Sequence, residues 1–330
     1  MSEPSLDVVG VGNALVDVIS HESDEFIDAH GLAPGTAVMV DLARVEALYA
    51  DLGPAEELSG GSAANTMAGL ASLGSSVAYI GRVRDDQLGE VFTHDLRAIG
   101  VRFEVPPATE GPGTGRCLVM VTPDAQRTMC TYLGTSSDLG PEAVDESLVA
   151  DASVTYLEGY LWDQPPAKQA IQRAASAARA AGRRVAMTLS DPFCVERHRA
   201  EFRALVEGHV DVVFANEVEI CSLYEVDSFD DALERVRGHC EIAALTRGSA
   251  GSVVLSGDVV HAIAAHPVER VVDTTGAGDQ YAAGFLHALT HGRDLETCGR
   301  LASLAAAEVI GHVGARPATS LAELAAPLLA

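Results

Sequence analysis

The chain has 330 residues, 48% hydrophobic and 21% charged, enough for one large α/β domain or two ordinary ones and too apolar for wholesale disorder. Its 47 acidic residues against 22 basic ones leave a net charge of -25, a field that repels phosphate backbones, so neither nucleic acid nor a membrane is expected as partner. No apolar stretch reaches the roughly 18 residues of a membrane helix. The start MSEPSLDVVG lacks a basic-then-apolar secretory pattern, and the six scattered cysteines include no C-x-x-C pair. A soluble cytoplasmic protein is the expectation.

In chain order, LDVVGVG (6–12) reads as the first strand, and an irregular stretch over about 15–42 reads as strands standing away from the main sheet. LSGGSAANTMAGLASLG (58–74) is a Gly-Gly turn entering a helix, followed by the strand SVAYIGRV (76–83) and a helix over 85–99 stopped at Gly100. CLVMVTP (117–123) and RTMCTYLG (127–134) form a hairpin about Asp124-Ala125-Gln126. VTYLEGYL (154–161), RRVAMTLSD (183–191), VDVVFANE (210–217) and EIAALTRG (241–248) are further strands, with helices over 165–181 and 196–207 between them. Nearly continuous apolar runs suit strands buried on both faces, and their alternation with helices predicts an α/β fold around a mainly parallel sheet. No repeat or linker divides the chain, so one domain over 1–330 with a small β appendage is expected.

The richest stretch is VVDTTGAGDQYAAGFLHALTHG (271–292), read as a strand, a Gly-rich turn and a helix. Tyr281, Phe285 and Leu289 recur at helical spacing, and Thr274 or Thr275 is placed to cap the helix. Gly276, Ala277 and Gly278 then offer bare N–H groups at the positive end of the helix dipole, an anion site that a side chain would block. Asp279 lies in the same first turn. A carboxylate beside an anion site suits a general base that takes a hydroxyl proton while the amides steady a transferring phosphoryl group. The bland alternative is a carboxylate complementing the dipole. Asn216 and Glu219, three apart, share a helix face, where Asn216 also fits a helix cap.

D-T-T-G-A-G-D (273–279) with the helix after it resembles the C-terminal signature of the PfkB/ribokinase family of carbohydrate and nucleoside kinases. The resemblance runs through VVGVGNALVDVI (8–19), LSGGSAANTMAGLASLG, GRVRDDQLG (81–89), NEVE (216–219) and TRGSAG (246–251). It implies a ribokinase-like three-layer α/β/α sandwich with a β lid drawn from about 15–42 and 103–133. It implies ATP and Mg2+ as cofactors and a small-molecule substrate, a nucleoside or sugar. It also implies roles: Asp17 holds two substrate hydroxyls with Asn13 beside it, Gly60 and Gly61 carry the lid hinge, and Asn65 contacts another hydroxyl. Asn216 and Glu219 organise the magnesium through water, Asp273 belongs to the nucleotide side, and Thr246, Gly248 and Gly251 form the ATP loop. EVIGHVGA (308–315) forms the adenine edge, where His312 is either a nucleotide contact or a surface histidine. Arg127 on the hairpin is a candidate to close onto the phosphates, against the alternative of an idle exposed arginine. A homodimer stays open, since lid strands in the family pair between subunits in some members only.

Two other readings fail. Gly10-x-Gly12 is followed by Leu15 where a dinucleotide fingerprint needs glycine, and no G-x-x-x-x-G-K-[ST] occurs. GNALVDVI, LSDPFCVER (189–197) and the 306–315 segment look most like the adenosine kinase branch, so adenosine is the expected acceptor. Glu158 and Tyr160, expected to face the substrate, keep a plain sugar or inosine and guanosine as alternatives. A nucleotide-sensing protein on the same fold is the non-enzymatic alternative.

Overall fold

The structure, a computed structural model, describes residues 4–124 and 126–329. From the start of the chain, β1 (Leu6–Val11) leads to β2 (Leu15–His21), α1 (Asp24–Ala29), β3 (Ala37–Met39), α2 (Leu42–Asp51) and β4 (Ala55–Gly60). Then come α3 (Ser62–Ser72), β5 (Val77–Ile80), α4 (Gln87–Ala98), β6 (Arg102–Phe103), β7 (Gly115–Val121) and β8 (Arg127–Tyr132). The middle of the chain alternates α5 (Glu146–Ala150), β9 (Ala152–Glu158), α6 (Pro165–Ala180), β10 (Arg184–Thr188), α7 (Pro192–Gly208) and β11 (Val212–Asn216). It continues through α8 (Glu217–Tyr224), α9 (Phe229–Val236), β12 (Ile242–Thr246), β13 (Ser252–Ser256) and β14 (Val259–Ile263). Three helices close it: α10 (Ala277–Thr290), α11 (Leu295–Val309) and α12 (Leu321–Leu329).

Among the described residues nine strands form the main sheet in the order β14-β13-β12-β11-β10-β9-β1-β5-β6, parallel from β12 to β6 and antiparallel at β13 and β14. Alternate residues feed two cores. Ala186, Val212, Phe214, Ile242 and Ala244 pack towards α3, α10 and α11, while Val185, Met187, Val213, Ala215 and Leu245 pack towards α6, α7 and α8. This is the expected α/β/α sandwich.

A second sheet of five strands, β3-β8-β7-β2-β4, forms the β appendage. The hairpin lies there as β7 and β8, with Ala125 of its turn outside the described residues. Its composition differs from the expected lid in two ways. Residues 55–60 join it as β4, paired with β2, and Arg102–Phe103 instead extend the main sheet beside β5. β4 is AEELSG, half of it exposed, so backbone pairing rather than an apolar pattern holds it. Val16, Val18, Leu118, Met120 and Cys130 on one lid face are buried together with Ile27 of α1 and Val45 and Leu48 of α2. The other face carries Asp17, Ile19, Cys117, Val119, Val121, Arg127 and Met129, because directly paired and alternate residues point the same way.

The stretch before α10 also departs from expectation: residues 264–276 contain no strand. The backbone amides of Val272 and Asp273 donate instead to the Ile310 carbonyl, so a loop–loop contact replaces a sheet edge. Buried residues fill α10 from Gln280 to Ala288, so more than one stripe is enclosed. Phe285 is wholly buried and meets Phe214 edge-on at 5.5 Å, tying α10 to the sheet. Phe285→Ala is expected to cost about 3–5 kcal/mol in urea unfolding, the usual range for a buried aromatic; a loss below 1 kcal/mol would contradict this packing.

Candidate active site

Parallel strands end on one edge of the sheet, where ligands of such sheets bind. Glu158 ends β9, Thr188 ends β10, Asn216 ends β11 and Thr246 ends β12. Neither threonine considered as a cap for α10 performs that role. Gly276 is the N-cap, with φ at 78° and no side-chain cap, while the Thr275 amide and hydroxyl donate to Asp273 Oδ1 at 3.0 and 2.8 Å. Gly276 is required there twice over: its φ is left-handed, and a Cβ would sit 2.5 Å from the Ala315 carbonyl oxygen. The three amides are not equivalent. Ala277 N–H donates to the Thr274 carbonyl at 3.2 Å, whereas those of Gly276 and Gly278 have no partner among the described residues. A Cβ on Gly278 would meet nothing within 4 Å. The free amides at the positive end of α10 are therefore those of Gly276 and Gly278.

Asp279 is held from α3. Ser62 Oγ donates to its Oδ1 at 2.6 Å and Asn65 Nδ2 approaches Oδ2 at 3.4 Å. Burial pushes its carboxyl up to about 6, against the pull of those two donors and of Arg316. Asp17 stands across the cleft on β2, between Leu58 of β4 and Cys117 of β7. Burial also raises it to about 6, moderated by Arg316 and then Arg127. Gly60 makes this possible: a Cβ there would lie 2.4–2.5 Å from all three atoms of the Asp17 carboxylate group. Gly61 caps α3 with φ at 98°.

Asn13 is anchored by three other parts of the chain. Its Nδ2 donates to Glu158 Oε1 at 2.7 Å, its Oδ1 accepts from Ser136 Oγ at 3.0 Å, and its carbonyl accepts from Tyr79 hydroxyl at 2.8 Å. Glu158, buried and raised to about 7 by desolvation, also accepts from the backbone N–H groups of Asn13 and Ala63. It staples the loop after β1 to the start of α3. Tyr160 turns its hydrogen bonds to Ser190, with its amide 3.2 Å from Ser190 Oγ, rather than to Asp17 or Asn65.

Arg127 is not an idle hairpin arginine. Its Nη1 lies 2.7 Å from Asp273 Oδ2, with both side chains nearly buried, and 3.4 Å from Thr275 Oγ1. Asp273 Oδ2 also accepts from the Gly314 amide at 3.0 Å, so this one carboxylate joins lid, α10 turn and C-terminal loop. Arg127 Nη2 is buried without a partner.

At the end of β11, Asn216 and Glu219 form a reciprocal capping box on α8, Asn216 Nδ2 donating to Glu219 Oε1 at 2.7 Å and Glu219 N–H to Asn216 Oδ1 at 2.9 Å. Burial raises Glu219 to about 7. Thr246 ends β12 and opens the turn in which Arg247 N–H donates to the Gly251 carbonyl, with Gly248 and Gly251 both at positive φ. That turn abuts residues 263–265, which open onto a cleft of about 1050 Å³ lined by His266, Val268, Val272, Leu304 and Gly311. His312 lies beside it, 3.4 Å from Glu308 and partly exposed. Among the described residues no three His, Cys, Asp or Glu side chains converge as a direct metal cluster.

Arg316 was not singled out by the sequence, although positive charge is scarce in this chain and the residue directly follows segment 308–315. Ser62 was missed too, despite following Gly61 and sharing a helix face with Asn65. Both lie beside Asp279.

The family model for pfkB carbohydrate kinases matches residues 39–321. The chain is similar to the crystal structure of adenosine kinase from Sinorhizobium meliloti, with 52% identity and a TM-score of 0.92 over 98% of this chain and 99% of that one. It is equally similar to a probable sugar kinase protein from Rhizobium etli CFN 42, with 50% identity, a TM-score of 0.93 and the same coverage. The adenosine kinase of Saccharomyces cerevisiae is 27% identical over 329 residues, 93% of this chain and 95% of its own.

The raised carboxyl of Asp279 has a consequence for stability. Its folded value, about 6, lies above the ordinary 3.8, so the native state binds this proton more tightly than the unfolded chain. The carboxyl therefore stops opposing folding only near or below 3.8, and its cost grows as pH rises towards 6. Asp279→Asn is expected to melt higher than the parent at mildly alkaline pH, with the advantage gone near pH 3.8; a variant that melts lower at alkaline pH contradicts the burial argument.

Proposed function

Because the chain belongs to the pfkB carbohydrate kinase family and is a phosphotransferase acting on an alcohol group, we propose that it transfers the γ-phosphoryl group of ATP to the 5′-hydroxyl of a nucleoside, adenosine before others. The observation that carries the acceptor class is the inner lid face. Asp17 there adjoins a separate apolar cluster of Cys117, Val119 and Val121, with Ile19 and Met129 packed against it. A carboxylate accepts two neighbouring ribose hydroxyls, and an apolar face beside it suits a flat base better than a further ring of hydroxyls. Glu158 turns its carboxylate to Asn13 and Ala63, so the charges on that face are those of Asp17 and Arg127. A free sugar is the second reading, favoured by the likeness to the Rhizobium etli protein.

In this mechanism Asp279 accepts the proton of the acceptor hydroxyl. Gly276 and Gly278 direct free amides at the migrating phosphoryl group, and the positive end of α10 adds to them. Arg127 carries the lid onto the same turn, where its unpartnered Nη2 meets phosphate oxygen, and closure excludes water that would hydrolyse ATP. Glu219 and Asn216, joined in a capping box, would hold Mg2+ as a hydrated ion, through water. When bound it would neutralise phosphate charge. The product with adenosine is AMP, which makes the reaction a purine-salvage step in the cytoplasm.

Measuring ATP consumption against adenosine, inosine, guanosine, ribose and fructose tests the acceptor: adenosine is expected to be used best, and turnover of the free sugars alone overturns the nucleoside reading. Asp279→Asn is expected to lower kcat by about 10²–10⁴ with ATP binding retained; near-parental turnover removes Asp279 as the base. Asp17→Ala is expected to abolish acceptor binding in calorimetry, and an unchanged affinity rejects its role.

A further inference from the structure

Arg316 lies in the loop between α11 and α12, a region that the nucleotide side accounts for only up to residue 315. Its backbone is fixed from α10, since Gln280 Nε2 donates to the Ala315 carbonyl at 3.0 Å. Its side chain then crosses to the acceptor side. Nε donates to Asn65 Oδ1 at 3.1 Å and Nη1 to Ser59 Oγ at 2.5 Å. One guanidinium thereby ties β4 of the lid sheet to α3, and through Asn65 it reaches Asp279. Nη2 is buried and has no hydrogen-bond partner. A buried guanidinium N–H without an acceptor is costly, and such groups call for an explanation.

The charges around it come from every side. Asp17 on β2, Asp95 on α4, Tyr79 on β5 and Asp279 on α10 all act on Arg316, and Asp279 also adds its charge to Glu158 on β9. Arg127 is the other cation that acts on Asp17. Arg316 opposes the rise of Asp17 more than Arg127 does, and also opposes the rise of Asp279.

We propose that Arg316 is a further acceptor-binding residue: its unpartnered Nη2 donates to an oxygen of the bound alcohol substrate, while its positive charge balances the two carboxylates between which that substrate sits. The inference rests on the kinase reading of this cleft, and holds for a nucleoside or a sugar acceptor. It assigns the fork and the charge of the guanidinium separate effects. The fork aligns Asn65 and the acceptor; the charge keeps Asp279 ionised and able to take a proton.

Two full-length variants, Arg316→Lys and Arg316→Gln, separate these effects, each first checked for parental circular dichroism. Acceptor KM and the pH dependence of kcat/KM are measured with the substrate the parent enzyme uses best. Loss of an opposite charge raises a neighbouring carboxyl, so the acid limb of Arg316→Gln should move up by about one pH unit. Arg316→Lys should keep the parental limb yet raise acceptor KM about tenfold, because an ammonium cannot reproduce the fork. Parental KM and parental acid limb in both variants overturn the proposal, and so does a uniform fall in kcat with neither moved. If Arg316→Gln does not fold, Arg316→Lys decides alone, by a raised or an unchanged acceptor KM. Failure of the parent to phosphorylate any nucleoside or sugar is a different result, since it removes the kinase reading itself.

Discussion

Asp17 and Asp279 share one cleft in which burial lifts both carboxyls to about 6, in a chain carrying 47 acidic residues against 22 basic ones. The surrounding architecture answers that constraint. Gly60 leaves room for Asp17, Ser62 and Asn65 donate to Asp279, and Arg316 supplies opposing charge to both. These groups come from β2, β4, α3, α10 and the loop after α11, so the cleft exists only when distant parts of the chain are assembled. A carboxyl near 6 is mostly ionised at neutral pH yet close enough to neutrality to accept a proton, which is what a general base requires.

A second knot joins the lid to the reacting end of α10. Asp273 takes Arg127 from β8, Thr275 from the turn and the Gly314 amide from the C-terminal loop. Exposed ion pairs contribute little, but both partners here are nearly buried, and leaving either without the other would strand a charge. Lid position and anion-site geometry are therefore linked through one carboxylate. The acidic exterior gives an anionic ligand no long-range help, so its binding falls to local amides and guanidinium groups.

Much of this was legible from sequence because parallel strands announce themselves. Runs such as VDVVFANE are apolar throughout since both faces are buried, and the structure shows them as strands with slightly shorter ends. The turn into α10 was legible from its small residues, because a positive φ and close backbone approach at Gly276 exclude a side chain. What escaped depends on information that side-chain patterns do not carry. β4 is polar and held by pairing with β2; residues 271–275 look like a strand but bond to the loop after α11; and Gly276 caps α10 through backbone geometry where a threonine seemed better suited. Asn13 lies four positions before Asp17, and its bonds to Glu158, Ser136 and Tyr79 come from residues far away in the chain. Arg316 and Asp279 are 37 positions apart, and no local motif marks their meeting.

In the proposed reaction Asp279 and the free amides of Gly276 and Gly278 face the two sides of one phosphoryl transfer. A crystal structure with adenosine and a non-hydrolysable ATP analogue tests it most directly. The account predicts the 5′-oxygen within hydrogen-bonding distance of Asp279 and the terminal phosphoryl group over the Gly276 and Gly278 amides. A nucleoside whose 5′-oxygen points away from Asp279, or phosphates bound elsewhere than the start of α10, would contradict it.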